Sequence, residues 1–255
     1  MLNLIKMDMY RLMKTKALWI FLLLAAVTPF MELAIRSKSA EEGIQAGISL
    51  TTIMDGLFHY GIIMLACSVL VSIFVNAEQR NGFIKNIAGQ LPNRGALALS
   101  KIITAVFGTL LLMVCLLVCG IAAGVIFYGD GFTLGSVADL ALLFGTQLLL
   151  HAAFSSLIVF FCLVTQSSAF SMTFGIIISS GIVSIAYLGV NKLVSMLGGW
   201  ASGFDIGSYM LENNINAIHI GSTGMILTRA LIVGAAFLLA AGASSMLLMK
   251  KRDIR

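Results

Sequence analysis

Charged residues are scarce in this 255-residue sequence: they make up 11% of it, while 59% of the residues are hydrophobic. A soluble domain averages about 25% charged residues, and a water-soluble core of this size cannot hold so much apolar surface. The composition therefore predicts an integral membrane protein. The net charge of +5 does not indicate nucleic-acid binding, because the basic residues cluster where apolar runs end, as expected at membrane borders.

Nucleotide-binding and catalytic patterns are also missing. The sequence contains no G-x-x-x-x-G-K-[ST] phosphate loop, so we do not expect it to hydrolyse ATP by that mechanism. No nucleophile–base pair or metal-ligand pattern indicates an enzyme or a metal site. Cys67, Cys115, Cys119 and Cys162 all fall within apolar runs, which favours packing roles over metal or redox use.

Six apolar segments are each about long enough to cross a bilayer. They lie near Ala17–Ile35, Ile53–Val75, Ile102–Tyr128, Leu140–Thr165, Ala169–Val190 and Met225–Met249. No tandem repeat or second domain is visible. The sequence thus predicts an all-α integral membrane protein with six transmembrane helices in a single domain, residues 1–255.

The distribution of Lys and Arg predicts the orientation. Residues 1–16, the loop 76–101 and the carboxyl-terminal tail together carry twelve of the sixteen basic residues. Both termini and this loop are therefore expected on the cytoplasmic side. Residues 1–16 are expected to form an interfacial amphipathic helix, the alternative being a plain basic flank to the first span. Its apolar face holds Leu2, Ile5, Met9, Leu12 and Met13, and its polar face Asn3, Lys6, Tyr10 and Lys14.

Polar residues within the spans are few. The third, fourth and fifth spans carry no Asp, Glu, Lys or Arg in their interiors, which weighs against an ion-coupled transporter. Asp55 and His59 share one helical face and are expected to pair near the outer interface, a cargo or proton contact being the alternative. Gln147, His151 and Ser155 form a stripe that is expected to bond neighbouring helices, with a transport-path role as the alternative.

Two further features concern helix packing and the outer surface. Small residues recur one turn apart, which permits close helix contacts. These pairs are Gly120 and Gly124, Ser171 and Gly175, and Ser180 and Ser184. The outer segment 191–224 is long and unusually apolar, so short helices that dip into the outer leaflet are expected there.

A polar segment, Asn76–Lys101, lies between the second and third apolar runs. Phe83, Ile84, Ile87 and Leu91 fall on one face of a short helix within it, and Pro92 to Gly95 form a turn. A short amphipathic helix between two spans either lies on lipid headgroups or fits a groove in a soluble partner.

This segment resembles the intracellular loop of type-2 ABC exporter permeases. The resemblance rests on Glu78, on Gly82 followed by the apolar pair Phe83-Ile84, on Pro92 with Arg94, and on Lys101. Six spans over nearly the whole chain match the same family. The resemblance implies that this loop is a coupling helix, which docks into a separate ATPase subunit that binds ATP and Mg. The expected interface residues are Glu78, Arg80, Gly82, Phe83, Ile84, Lys85 and Ile87.

The resemblance also implies a second permease chain, in a homodimer or heterodimer, and re-entrant outer helices before the last span. The second and fifth spans are then expected to line the transport path. Their path residues would be Phe58, Met64, Phe170, Met172, Phe174 and Ser179. Met and Phe give an amphipathic cargo adaptable apolar contact.

Size and overall texture are most similar to small permeases of the bacterial plasma membrane that export antimicrobial or amphipathic peptides. Small drugs and lipids remain open as cargo. A non-transporting membrane immunity or scaffold protein is the alternative, followed by an ion-coupled secondary transporter.

Overall fold

The structure is a computed structural model that describes residues 1–41, 47–59, 61–80, 94–196 and 205–251, without the side chains of 39–41 and 78–80. Helix α1 spans Leu2–Lys14 and α2 spans Lys16–Glu41. Thr15 adopts an extended conformation between them, which lets α1 turn away from α2. The buried side chains of α1 are Leu4, Asp8 and Leu12.

Four helices are long and apolar enough to cross a membrane unaided. They are α2, α5 (Gly95–Tyr128), α6 (Val137–Thr165) and α10 (Gly224–Lys251). Helices α5 and α6 begin several residues before the apolar runs, so each extends beyond the span expected from hydropathy. The turn after α6 is tight because Gln166 adopts a left-handed conformation (φ 54°). The Ser167 hydroxyl then caps the next helix by accepting a hydrogen bond from the amide of Phe170, the third residue of that helix.

The second and fifth spans are broken rather than continuous, which corrects the sequence-based expectation. The second consists of α3 (Leu50–His59) and α4 (Ile62–Arg80), bent by 55°. The fifth consists of α7 (Ser168–Ser179) and α8 (Val183–Met196), bent by 70°. A glycine with positive φ lies at each break, Gly61 at 65° and Gly181 at 74°. With each bent pair counted as one span, the described residues supply six spans of an all-α membrane protein.

The two breaks lie side by side. A Cβ atom at Gly61 would be 2.9 Å from the carbonyl oxygen of Ser179. Helix α4 packs along α7 below this point, and Gly175 faces Ser68 so closely that a Cβ there would overlap the hydroxyl. The expectation that Gly175 permits close packing is therefore confirmed. The same holds for Gly120, where a Cβ would collide with Met54 of α3. Gly124 faces Phe132, in a short strand and not in a helix.

The helices run up and down between two ends of one bundle. The terminal end, as we call it, holds α1, the start of α5 and the carboxyl end of α10. The far end holds α3, the short helix α9 (Leu211–Ala217) and the start of α10. There, a two-residue parallel strand pair joins β1 (Ile48–Ser49) to β2 (Phe132–Thr133), with Ile48 opposite Phe132. Leu211 and Ile215 of α9 are buried, so this part of the outer segment packs into the bundle.

Candidate functional site

The two flanks of the segment expected to dock an ATPase, where α4 ends and α5 begins, lie at the terminal end. Glu78 and Arg80 belong to the last turn of α4, and their side chains lie outside the described part of the chain. Five more of its predicted residues lie outside the described residues altogether. They are Gly82, Phe83, Ile84, Lys85 and Ile87. What the structure does place is the base of this segment, where α4 ends and α5 begins at Gly95.

A buried ion pair anchors α1 to this base. The Lys101 ammonium lies 2.7 Å from Asp8 Oδ1, and the Ser100 hydroxyl donates to Asp8 Oδ2 at 2.6 Å. Asp8 is 0% exposed and Lys101 4%, and the ammonium also lies 5.1 Å from the centre of the Phe74 ring on α4. One cluster therefore joins α1, α4 and α5 just below the predicted docking segment, in the low-dielectric interior where such charges must be paired.

Asp8 was not singled out in the sequence. It is the one acidic residue among the first 31, and it lies four residues from both Leu4 and Leu12. This spacing places an acidic residue on one helical face with two leucines, and it could have indicated that Asp8 is buried. The buried face of α1 shares only Leu12 with the predicted apolar face, whose Leu2 and Met13 are exposed. Exposed apolar residues on α1 are what an interfacial helix presents to lipid.

Small polar side chains link the spans across the core. The Thr109 hydroxyl of α5 lies 2.8 Å from that of Ser155 on α6 and 3.4 Å from Cys67 Sγ on α4. Cys162 donates weakly to Ser72 across the same interface. All four cysteines are free thiols, and Cys115 contacts the carbonyl of Leu22. These contacts hold helices together, as such polar groups commonly do in membranes.

The stripe formed by Gln147, His151 and Ser155 makes hydrogen bonds to neighbouring segments, as the sequence analysis expected. Gln147 Nε2 donates to the carbonyl of Ile215 on α9 at 2.9 Å, and His151 Nδ1 lies 2.8 Å from the Gln147 carbonyl. Within the described part of the chain, Gln147 Oε1 and His151 Nε2 are buried without a hydrogen-bond partner. The stripe thus fixes the outer segment to the fourth span.

The predicted path residues divide into two groups. Phe58 and Met64 are each 1% exposed and lie inside the core of the chain, so neither reaches its outer surface. Phe170 is half exposed on α7, and Met172, Phe174 and Ser179 are partly exposed. Phe170 and Phe174 form an aromatic group with Phe161, whose ring centre is 4.1 Å from that of Phe174. The accessible group lies on α7, below the break at Gly181.

Helix α7 and helix α8 form an open face of the bundle. Ser171 and Gly175 are the buried residues of α7, and α8 has none. Large apolar side chains therefore point away from the chain along the whole fifth span. They are Phe170, Ile176, Ile177, Ile182, Ile185, Leu188, Val190, Leu193 and Met196. Such a face requires lipid, a cargo or another apolar protein surface.

A buried carboxyl group, from Glu212 of α9, meets the start of α8. Glu212 is 2% exposed; the Ser184 hydroxyl donates to its Oε1 at 3.4 Å, and its Oε2 has no partner among the described residues. Burial raises the pKa of this carboxyl group, an effect that the Ser184 hydrogen bond partly offsets. The amino-terminal end of α8 favours the charged form. Glu212 was not identified from the sequence, because nothing local indicates that an outer-loop glutamate is buried.

Asp55 and His59 are brought together at the far end, as expected. His59 Nδ1 lies 4.0 Å from Asp55 Oδ1. The structure adds a third residue, His219, whose Nδ1 lies 3.5 Å from Asp55 Oδ2. The contact joins α3 to the turn before α10, two segments that are about 160 residues apart in the sequence, so local patterns gave no sign of it.

Comparison with protein families finds one match relevant to this architecture. The family model described as "ABC-2 family transporter protein" matches residues 4–182, which include α1, the first four spans, the predicted docking segment and the first half of the fifth span. A comparison with curated proteins finds no match.

Proposed function

Because the chain belongs to the ABC-2 family of transporter proteins and is a transmembrane component of an ABC transporter, we propose that it is the permease subunit of an ATP-driven exporter. It moves an amphipathic or antimicrobial peptide, or a similar hydrophobic cargo, out of a bacterial cell. It lies in the plasma membrane with both termini cytoplasmic. A separate ATPase subunit binds ATP and Mg and supplies the energy.

The observation that carries the coupling proposal is the buried Asp8–Lys101 pair. It lies where the docking segment joins α5, and it ties the interfacial helix to two spans. A force applied by an ATPase at Phe83, Ile84 and Ile87 would reach α4 and α5 directly through the chain, and α1 through Asp8. A tightly packed cluster of this kind can transmit a nucleotide-driven movement from the ATPase to the spans.

The proposed transport path runs along the open face of the fifth span. Met172, Phe174 and Phe170 are accessible there, and Ser179 lies at the break beside Gly61. Broken spans are a recurrent feature of transporter binding sites, because unwound backbone exposes polar groups to the cargo. A second permease chain facing this surface would enclose the path. The core residues Phe58 and Met64 would support it from behind.

The test measures peptide-stimulated ATP hydrolysis in proteoliposomes that contain the chain and its ATPase, with a panel of cationic amphipathic peptides as cargo. Phe174→Ala and Met172→Glu are expected to reduce stimulation at least about fivefold while basal hydrolysis is retained, because they alter contacts with cargo and not with ATPase. Val118→Ala, an exposed apolar residue of α5, is the matched control. Unchanged stimulation in both path variants would contradict this path.

A further inference from the structure

Asp55, His59 and His219 converge at the far end of the bundle. The ligand atoms that the three side chains offer all lie within 4.8 Å of one another. Asp55 and His59 lie one turn apart on α3, and His219 comes from the turn between α9 and α10. The chain has only three histidines, and two of them meet here.

The backbone holds two of the three in place. His59 Nε2 lies 3.0 Å from the carbonyl of Asn216, and its Nδ1 contacts the carbonyl of Asp55. Ser222 closes the turn that carries His219, because its hydroxyl accepts a hydrogen bond from the His219 amide at 2.8 Å. Asp55 Oδ1 is buried and has no hydrogen-bond partner among the described residues. A charged oxygen in this position calls for a cation.

Both ring nitrogens of His59 face backbone carbonyl groups. A neutral imidazole has one N–H, so it can satisfy only one of the two. The other nitrogen then turns its lone pair toward an oxygen, which is unfavourable. A metal ion on that nitrogen removes the conflict once the ring has turned the nitrogen away from the carbonyl oxygen.

We propose that Asp55, His59 and His219 bind a divalent transition-metal ion, such as Zn²⁺. Two imidazoles and one carboxylate suit this class of ion and do not suit Mg²⁺ or Ca²⁺, which prefer oxygen ligands. Three protein ligands leave a fourth position for water. The ion connects the outer half of the second span to the start of the last span, and thereby braces the outer segment.

The histidine rings must reorient when the ion binds. They are stacked, with centres 4.0 Å apart and planes inclined by 4°. An ion in the plane of one ring would then lie well out of the plane of the other. His219 is the ligand that turns, because its side chain is 55% exposed while that of His59 is 20%. His59 must also turn one nitrogen away from its carbonyl partner, so Asp55 is the ligand that stays in place.

The test uses the full chain, purified with an affinity tag that lacks histidine and stripped with a chelator. Zn²⁺ binding is measured by competition with a chromogenic chelator, and Co²⁺ absorption reports the ligand type. We expect one ion per chain at about pH 7.5 and at least tenfold weaker binding at about pH 5.5, where protons compete for imidazole. His219→Ala and Asp55→Asn should each weaken binding at least tenfold, since even loss of a supporting partner costs about that much.

Asp139→Asn, at the start of α6 on the same end of the bundle, is the control and should bind like the unmodified chain. His219 is exposed, so its removal does not disturb the core and a folding defect cannot imitate the result. Wild-type binding in His219→Ala would overturn the proposal. So would a failure of the unmodified chain to bind saturably below about 100 μM, where the class of weak extracellular calcium modules begins. The readout requires no ATPase or cargo, so it is independent of the proposed export function.

Discussion

Asp8 is fully buried and carries a charge, so its replacement is expected to destabilise the chain strongly. Asp8→Asn removes the carboxylate that the buried Lys101 ammonium contacts, and loss of one partner of a buried pair costs about 3–5 kcal/mol of unfolding free energy. Lys101→Met is expected to cost a similar amount. The measurement is chemical unfolding of the purified chain in detergent.

The double variant Asp8→Asn/Lys101→Met decides whether charge is responsible. Because the two charges contact each other, the double variant should lose less stability than the sum of the two single losses. Lys6→Met, at an exposed position of α1, is the control and should change stability by less than about 0.5 kcal/mol. Additive losses in the double variant would show that the two residues do not act as a pair.

Glu212 gives a pH-dependent prediction. Burial raises its pKa above the ordinary value of 4.5, so the folded state holds the proton more tightly than the unfolded state. Stability is therefore reduced as pH rises from about 4.5 through the raised folded pKa, and the penalty is complete above it. Glu212→Gln removes the penalty and retains an oxygen for Ser184. It should raise the apparent Tm at about pH 8 and leave it unchanged at about pH 4.

Asp205 provides a control of opposite sign in the same segment. Hydrogen bonds from Ser208 and Asn191 lower the pKa of its exposed carboxyl group. Its contribution to stability is present above its unfolded pKa and is lost as pH falls through the folded pKa. Asp205→Asn should therefore lower the apparent Tm at about pH 8, while Glu212→Gln raises it. An equal shift of Glu212→Gln at both pH values would contradict the burial argument.

At the scale of elements, the breaks of the second and fifth spans require glycine. Gly181 has φ 74°, and a Cβ added there would lie 3.7 Å from its nearest neighbour, Glu212 Oε1, so an alanine meets backbone strain but little crowding. Gly181→Ala should cost about 1–2 kcal/mol. Gly61→Ala adds contact with the Ser179 carbonyl at 2.9 Å and should cost more.

Gly189 is the matched control for these glycines. It lies in the middle of α8 with open space around it, so Gly189→Ala should stabilise the helix by about 0.5–1 kcal/mol. The three variants are compared by unfolding in the same detergent. If Gly181→Ala were as stable as Gly189→Ala, the break would not depend on the glycine conformation.

The same glycines show how far the sequence predicts these elements. Apolar runs indicated six spans, and the described helices overlap all six, because a segment that crosses lipid must be apolar along its length. The breaks were not predicted, since Gly61, Gly181 and Gly189 look alike in an apolar run and only tertiary contacts distinguish them. Asp8 and Lys101, 93 residues apart, were separately visible but could not be paired without the fold.

For the molecule as a whole, the family, the membrane architecture and the pairing of Asp55 with His59 followed from the sequence, while the contact of His219 with Asp55 did not. His219 reaches Asp55 only because α9 packs into the bundle through Gln147 and brings the following turn to α3. The proposed docking segment and the proposed transport path also concern the whole molecule. The first requires an ATPase, and the second requires another permease chain. Their test must therefore be made on the assembled complex.

Recovery of an ATPase with the affinity-purified chain from native membranes tests the central claim most directly. The measured quantity is vanadate-sensitive ATP hydrolysis per mole of chain eluted. The unmodified chain should elute with this activity. Phe83→Asp/Ile84→Asp should lose at least about 90% of it while its own yield and unfolding midpoint stay unchanged, because burying charge in an apolar groove is unfavourable. Undiminished activity in this variant, or none with the unmodified chain, would contradict the account.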